Sequence, residues 1–266
     1  MIDLPKDPAD LFSVRDKVAV VTGASGAFGA LAARVLAAAG ARLVLAAGNI
    51  PELEITTQQC RELGAHVVAV PFRPDTESDC EAIMRSGMEG FSGLDILVVG
   101  SGLNDVAPIV EMSPERFENV MHGNVTGAWL SCRAFGKCVI EQGRGGKVVL
   151  MSSARGKLGH PSGYTAYCAS KAATDGLTKA LGCEWGKYGI TVNAIAPTVF
   201  RSPLTAWMFE DNEKARATRS GMLARIPLGR LGEPEDLAGP LLFLASRASN
   251  FYTGHVLYVD GGYTAG

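Results

Sequence analysis

Tyr167-Cys168-Ala169-Ser170-Lys171, preceded in the chain by Ser152-Ser153, sets a phenol and an ammonium one helical turn apart with a hydroxyl nearby. Residues i and i+4 of a helix share a face, so the Lys171 charge can lie within a few ångströms of the Tyr167 ring. A free tyrosine titrates near pH ~10, and a neighbouring cation favours the phenolate, which draws the pKa toward the range where a general acid or base is useful. Tyr167 is therefore the first candidate for proton transfer. The spacing alone is weak, because many helices carry a tyrosine in the core and a lysine in water four places on. The rest of the chain must supply the context.

Short β-branched runs flanked by turn residues, Val18 to Val21, Leu43 to Leu45, Val67 to Val70, Ile96 to Val99, Val148 to Leu150, Val192 to Ile195 and Val256 to Val259, read as buried strands. Between them, Phe28 to Ala39, Pro51 to Leu63, Glu77 to Ser86, Pro114 to Gln142 and Tyr164 to Trp185 have helical periodicity. This alternation predicts a single-domain α/β fold, a Rossmann-type doubly wound parallel sheet with ligands beyond the carboxyl ends of its strands. Residues 1–14 read as an arm and residues 15–266 as the domain, with an insertion at about 199–228. In that insertion Leu204, Trp207, Met208 and Phe209 precede a polar run that leads to Met222 and Leu223. A lid over an apolar substrate and a helix docked on a neighbouring subunit would both look like this. Arg216, Arg219 and Arg225 stand there either as a solvated face or as a contact for an anionic group.

With 266 residues, 47% hydrophobic and 20% charged, the chain has an ordinary globular composition. A net charge of -2, from 25 basic and 27 acidic residues without a basic block, offers little to a nucleic-acid backbone. The N-terminus lacks a signal pattern and no apolar run reaches the roughly 20 residues of a membrane span. These features predict a cytoplasmic protein with small-molecule partners. Cys60, Cys80, Cys132, Cys138, Cys168 and Cys183 lack the paired spacing of a metal or redox site and read as buried thiols, so no metal is expected.

Val18-Ala19-Val20-Val21-Thr22-Gly23-Ala24-Ser25-Gly26 before a helix, Asp95-Ile96-Leu97-Val98, Ser152-Ser153, the Tyr167 to Lys171 segment, Val192-Asn193-Ala194-Ile195-Ala196-Pro197 and Asp260-Gly261-Gly262 occur in register along the chain. In this set and order the chain resembles the short-chain dehydrogenase/reductase family from about residue 12 to residue 263. The resemblance implies hydride transfer between a nicotinamide cofactor and a carbon bearing a hydroxyl or keto group. It implies that Tyr167 exchanges the alcohol proton, Ser153 polarises the substrate oxygen, and Lys171 tunes Tyr167 and bonds the nicotinamide ribose. Asn124 matches the family's helix asparagine that holds a proton-relaying water, although an ordinary helix polar residue fits the position equally. Gly23, Ser25, Gly26, Phe28, Gly29, Ala47, Arg73, Gly100, Pro197 and Ser202 fall where the family meets its dinucleotide. Ser153 lies one residue further from Tyr167 than is usual in the family, which puts an insertion in Gly159 to Tyr164 and brings His160 and Tyr164 near the pocket.

Several cofactor positions depart from the family pattern. Ala27 stands for the middle glycine and adds a methyl where backbone and pyrophosphate approach. Ala46-Ala47-Gly48-Asn49 shows neither the acid for a ribose hydroxyl nor the arginine for a 2′-phosphate. Arg73 replaces an aspartate, Val99-Gly100-Ser101-Gly102 replaces a pair of asparagines, and Thr198 replaces a glycine after Pro197. Two readings follow. One is an NAD(P)-dependent oxidoreductase of a secondary alcohol and ketone, leaning to NAD, with an aromatic or acyl-CoA-linked substrate among the options. The other is a degenerate subunit that pairs with an active relative. The resemblance implies association through the helices matching Pro114 to Gln142 and Tyr164 to Trp185, as a homotetramer or as a hetero-oligomer.

Overall fold

The computed structural model describes residues 6–266. The first five residues of the arm and the side chain of Leu204 lie outside the described residues. Seven strands form one parallel sheet in the order β3-β2-β1-β4-β5-β6-β7. They are β1 (Val18–Thr22), β2 (Arg42–Ala46), β3 (Val67–Val70), β4 (Ile96–Val99), β5 (Gly146–Met151), β6 (Ile190–Pro197) and β7 (Val256–Val259). Every residue of β1 is buried because successive side chains serve opposite cores. Val18 and Val20 join Ile83, Phe135 and Trp185 on one face, while Ala19 and Val21 join Leu36, Leu53 and Leu241 on the other. Thr22 is in register with both Ala46 and Val99. The strands β1, β2 and β4 therefore end level, and the strand order reverses between β1 and β4, where an open α/β sheet leaves its ligand crevice.

The helices are α1 (Ala27–Ala38), α2 (Ile50–Glu62), α3 (Glu77–Phe91), α4 (Pro114–Met121), α5 (Gly127–Gln142), α6 (Thr165–Trp185), α7 (Glu213–Leu223) and α8 (Glu235–Ala245). Helix α3 starts at a Thr76–Asp79 capping box and runs past the expected end at Ser86. Gly87 and Gly90 weaken its sequence signal, but a Cβ on Gly87 would lie 2.5 Å from Leu94 Cδ2, so the missing side chain lets the helix sit close to the sheet. The expected single helix from Pro114 to Gln142 is two helices joined by a π-helical turn, His122–Thr126. Such bulges are common at functional sites, and this one carries Asn124. Helix α8 escapes a reading by periodicity because Gly239 and Pro240 interrupt it.

Residues 199–228 hold a 3₁₀ helix, Pro203–Phe209, and α7. Near the N-terminus, Pro8–Phe12 forms a 3₁₀ turn against α8 and Val14 is fully buried. All six cysteines are free; Cys60, Cys80 and Cys132 are buried, whereas Cys183 is exposed, contrary to the expectation of buried thiols throughout. Among the described residues no acidic, histidine and cysteine cluster could hold a metal ion, and no helix is long and apolar enough to cross a membrane.

The turn from β1 into α1 tolerates no extra atoms. A Cβ on Gly29 would sit 2.1 Å from the Gly23 carbonyl oxygen, and one on Gly23, at φ +66°, would sit 2.5 Å from the Ser101 nitrogen. Gly29→Ala must push α1 off β1, and thermal unfolding should show a fall in Tm on the order of 10 °C.

Candidate active site

Helix α6 buries a polar stripe that satisfies itself. Ser170, Thr174 and Thr178 donate to the carbonyls of Tyr167, Ser170 and Thr174 at 2.8, 3.0 and 2.8 Å. That bonding holds the helix close to β5 and carries Lys171 inward, where its Nζ donates to the Met151 carbonyl at 2.8 Å and stands 5.5 Å from the centre of the Tyr167 ring. Burial depresses the Lys171 pKa to about 8, against the opposing pull of the Asp175 carboxylate. Asp175, buried one turn further along, accepts a hydrogen bond from Ser152, and its own pKa is raised by burial.

Ser153 caps the short turn Ala154–Gly156 after β5, its Oγ accepting the Arg155 N–H at 3.2 Å. The neighbouring Ser153 hydroxyl pulls the Tyr167 phenol pKa down, but burial is the larger effect and raises it above the ordinary value. The Tyr167 pKa thus lies above the ordinary value, not below it as the Lys171 spacing alone predicts. Spacing along a helix places the two groups together, but both are withdrawn from water, which disfavours the phenolate and the ammonium alike.

Asn124 is fully buried rather than on the cavity wall. Its Oδ1 accepts the Leu103 N–H at 2.7 Å, and its Nδ2 donates to the Leu103 carbonyl and to Ser170 Oγ, each at 2.9 Å. Both amide hydrogens are therefore committed to protein. The side chain fastens the loop after β4 to α6, and the π-helical turn positions it to do so.

Ser153 and Tyr167 open onto a cavity of about 1060 Å³. Ser25, Gly26, Phe28, Pro197 and Ser202, five of the expected cofactor positions, line it together with His160, Tyr164 and Thr198. Trp207, Met208, Lys214 and Met222, from residues 199–228, line it as well. Phe209 instead packs with Ala154 and Ile226. Of the arginines in residues 199–228, Arg216 pairs with Asp211, and Arg219 donates to the Met208 carbonyl and has no carboxylate partner among the described residues.

The remaining predicted cofactor positions lie elsewhere. Gly23 and Gly29 are pressed against each other's backbone. Gly100 is held by its N–H bond to the Thr22 carbonyl at 3.1 Å, and Ala47 is buried. None of these four lines the cavity, nor does Arg73. The Arg73 stem passes 2.8 Å from where a Gly48 Cβ would be, and its Nε pairs with Asp75 at 3.2 Å. Ala27, which stands for the middle glycine, is the exposed first residue of α1 and lines the cavity.

A dinucleotide fits the donor set at the β1 end. Helix α1 begins at Gly26 with no side-chain cap, which leaves its first-turn N–H groups facing the cavity for an anion. Arg34, bonded to Gln59 at 3.0 Å, adds a cation in an arm of the cavity between α1 and α2. Motif reading misses Arg34, Arg155 and Asp175; each stands near a recognisable motif but belongs to none.

A family profile described as enoyl-(acyl carrier protein) reductase matches residues 23–264. An uncharacterized oxidoreductase of Mycobacterium tuberculosis is 55% identical over 254 residues, 96% of this chain and 93% of the relative. Galactitol 2-dehydrogenase (L-tagatose-forming) of Cereibacter sphaeroides is 35% identical, covering 97% of this chain and 99% of the relative. The crystal structure of a gluconate 5-dehydrogenase from Burkholderia cenocepacia, in complex with NADP and tartrate, matches with a TM-score of 0.90 at 29% identity, over 98% of this chain and 100% of that one. With the fold, the hydroxyl pair and the uncapped helix in one cavity, these matches show that the chain belongs to the short-chain dehydrogenase/reductase family of oxidoreductases.

Proposed function

We propose that the cavity takes a nicotinamide dinucleotide along α1 and a small secondary alcohol or ketone against Ser153 and Tyr167, and that the chain interconverts the alcohol and the ketone. The observation that carries this reading is that Ser153 and Tyr167 open onto the same cavity as the uncapped N-terminus of α1. When bound, the nicotinamide supplies or accepts the hydride. In the reducing direction Tyr167, held protonated by burial, donates its proton to the substrate oxygen while Ser153 donates a second hydrogen bond to it. In the oxidising direction the same phenol oxygen takes the proton back. Lys171 acts from beneath Tyr167, and Asn124 acts through Leu103 and Ser170 by fixing the wall opposite.

NADP is the favoured cofactor, over the NAD suggested by the lack of a basic residue at Ala47, Gly48 and Asn49. The relative crystallised with NADP supports this. Relatives named for galactitol and gluconate support a small polyhydroxylated substrate over an aromatic or acyl-CoA-linked one. Exposed Phe117 and Trp129 on α4 and α5 support self-association through these helices into a tetramer. Six unpaired thiols support a cytoplasmic setting. The convergence of Ser153, Tyr167 and Lys171 leaves nothing that a silent subunit would explain better.

The test is reduction of a panel of small keto sugars by NADPH and NADH carrying deuterium at the transferable position. Turnover with deuterium recovered on the new carbinol carbon is expected. Failure of every ketone with both cofactors would overturn the reading.

A further inference from the structure

We infer that the catalytic end of the cavity holds a carboxylate, bound by Arg155 with His160 beside it, so that the substrate is a hydroxy acid or the corresponding keto acid. This rests on the cavity being the oxidoreductase site. Arg155 follows Ser153 by two residues, its backbone N–H bonds Ser153 Oγ, and the residue lines the same cavity. Of its five N–H donors, one meets the Gly159 carbonyl at 2.8 Å and one the Tyr263 hydroxyl at 2.9 Å. The others have no ion-pair partner among the described residues, whereas Arg201 and Arg230 are matched to Glu233 and Asp236.

A second guanidinium, Arg225, lies 4.4 Å from the centre of the Tyr263 ring, with Arg155 5.5 Å from the same ring. Arg225 also has no carboxylate partner among the described residues. The carboxylate at this turn, Asp260, is committed to the N–H groups of Gly262 and Thr264, each at 2.9 Å. Like charges gathered without a counter-ion repel, and an oxyanion among them relieves that repulsion. His160 adds a neutral donor. Its Nδ1 accepts the Ser162 N–H at 3.1 Å, which leaves the hydrogen on Nε2, and burial followed by the two arginine charges holds its pKa below the ordinary value.

The geometry also connects this group to the reacting one. The ring centres step from Tyr167 to Tyr164 over 6.3 Å and from Tyr164 to His160 over 4.4 Å, and all three line the cavity. A planar carboxylate matches the guanidinium fork in two parallel hydrogen bonds, which a hydroxyl cannot do. The carboxylate changes no bond in the reaction. It fixes which carbinol carbon faces Tyr167.

The test is calorimetric titration of the purified protein with gluconate and 3-hydroxybutyrate, each beside its amide, and with inorganic phosphate. The acids should bind at least tenfold more tightly than their amides, and Arg155→Gln should remove that difference while Arg155→Lys keeps part of it. Equal binding of acid and amide by the wild-type protein, or no binding of either acid, would overturn the inference, and so would tighter binding of phosphate than of both acids. These titrations need no turnover, so a failure here is separate from a failure to bind the dinucleotide or to transfer deuterium.

Discussion

Tyr167→Phe lowers kcat by about three orders of magnitude, at the centre of what a positioned general acid contributes, while substrate and dinucleotide affinities stay close to wild type. The substitution removes one oxygen from a half-buried ring whose packing against Tyr164 and Lys171 remains. The lost group is the one within reach of Ser153 at the cavity wall, so the loss belongs to the chemical step and not to binding. Steady-state kinetics beside dinucleotide titration separates the two. A variant with near-wild-type kcat would mean that another group moves the proton.

Lys171→Met should abolish most activity, by on the order of 10²–10³, and yet make the free protein more stable near neutral pH. An unfolded lysine titrates near 10.5 and the folded Lys171 at about 8. Below pH 8 both forms are charged, and the folded state bears the whole cost of burying the ammonium. Between these two values the unfolded chain holds more protons, so wild-type stability rises with pH. Removing the charge recovers roughly 3 kcal/mol at pH 7 on this shift. Against that stand the unpaired Met151 carbonyl and the loss of a cation near Asp175, which leaves a net gain of about 1–2 kcal/mol. Thermal melts should therefore show the variant several degrees higher at pH 7 and the advantage gone above pH 10. A lower melting point at pH 7 would mean that Lys171 stabilises this fold, and that the burial cost assigned to it is wrong.

Much of this was legible before any coordinates. The strands stand out because a parallel sheet buried on both faces needs continuous β-branched runs, as in Val18 to Val21. The spacing of Tyr167 and Lys171 places them together because a helix repeats every 3.6 residues. What spacing does not encode is depth. Both groups are more withdrawn from water than their positions imply, which reversed the expected direction for Tyr167. The π-helical turn at His122–Thr126 was hidden for a related reason, since residues on both sides keep a helical pattern and the widening is set by the contacts of Asn124 with Leu103 and Ser170. Helix α8 was obscured by Pro240. Arg155 carries no motif, and its standing as an unpaired cation depends on where Glu233, Asp236 and Asp260 direct their oxygens. At the cofactor end, motif position does not show which residues face the cavity, since Ala47 and Gly100 follow level strand ends yet serve packing and backbone bonding.

The most direct measurement is calorimetric titration of the purified chain with NADPH and NADH. The cavity beside α1 predicts micromolar binding, with NADPH about tenfold tighter than NADH. If neither dinucleotide binds, the cavity is not a cofactor site and the oxidoreductase account of this chain is contradicted.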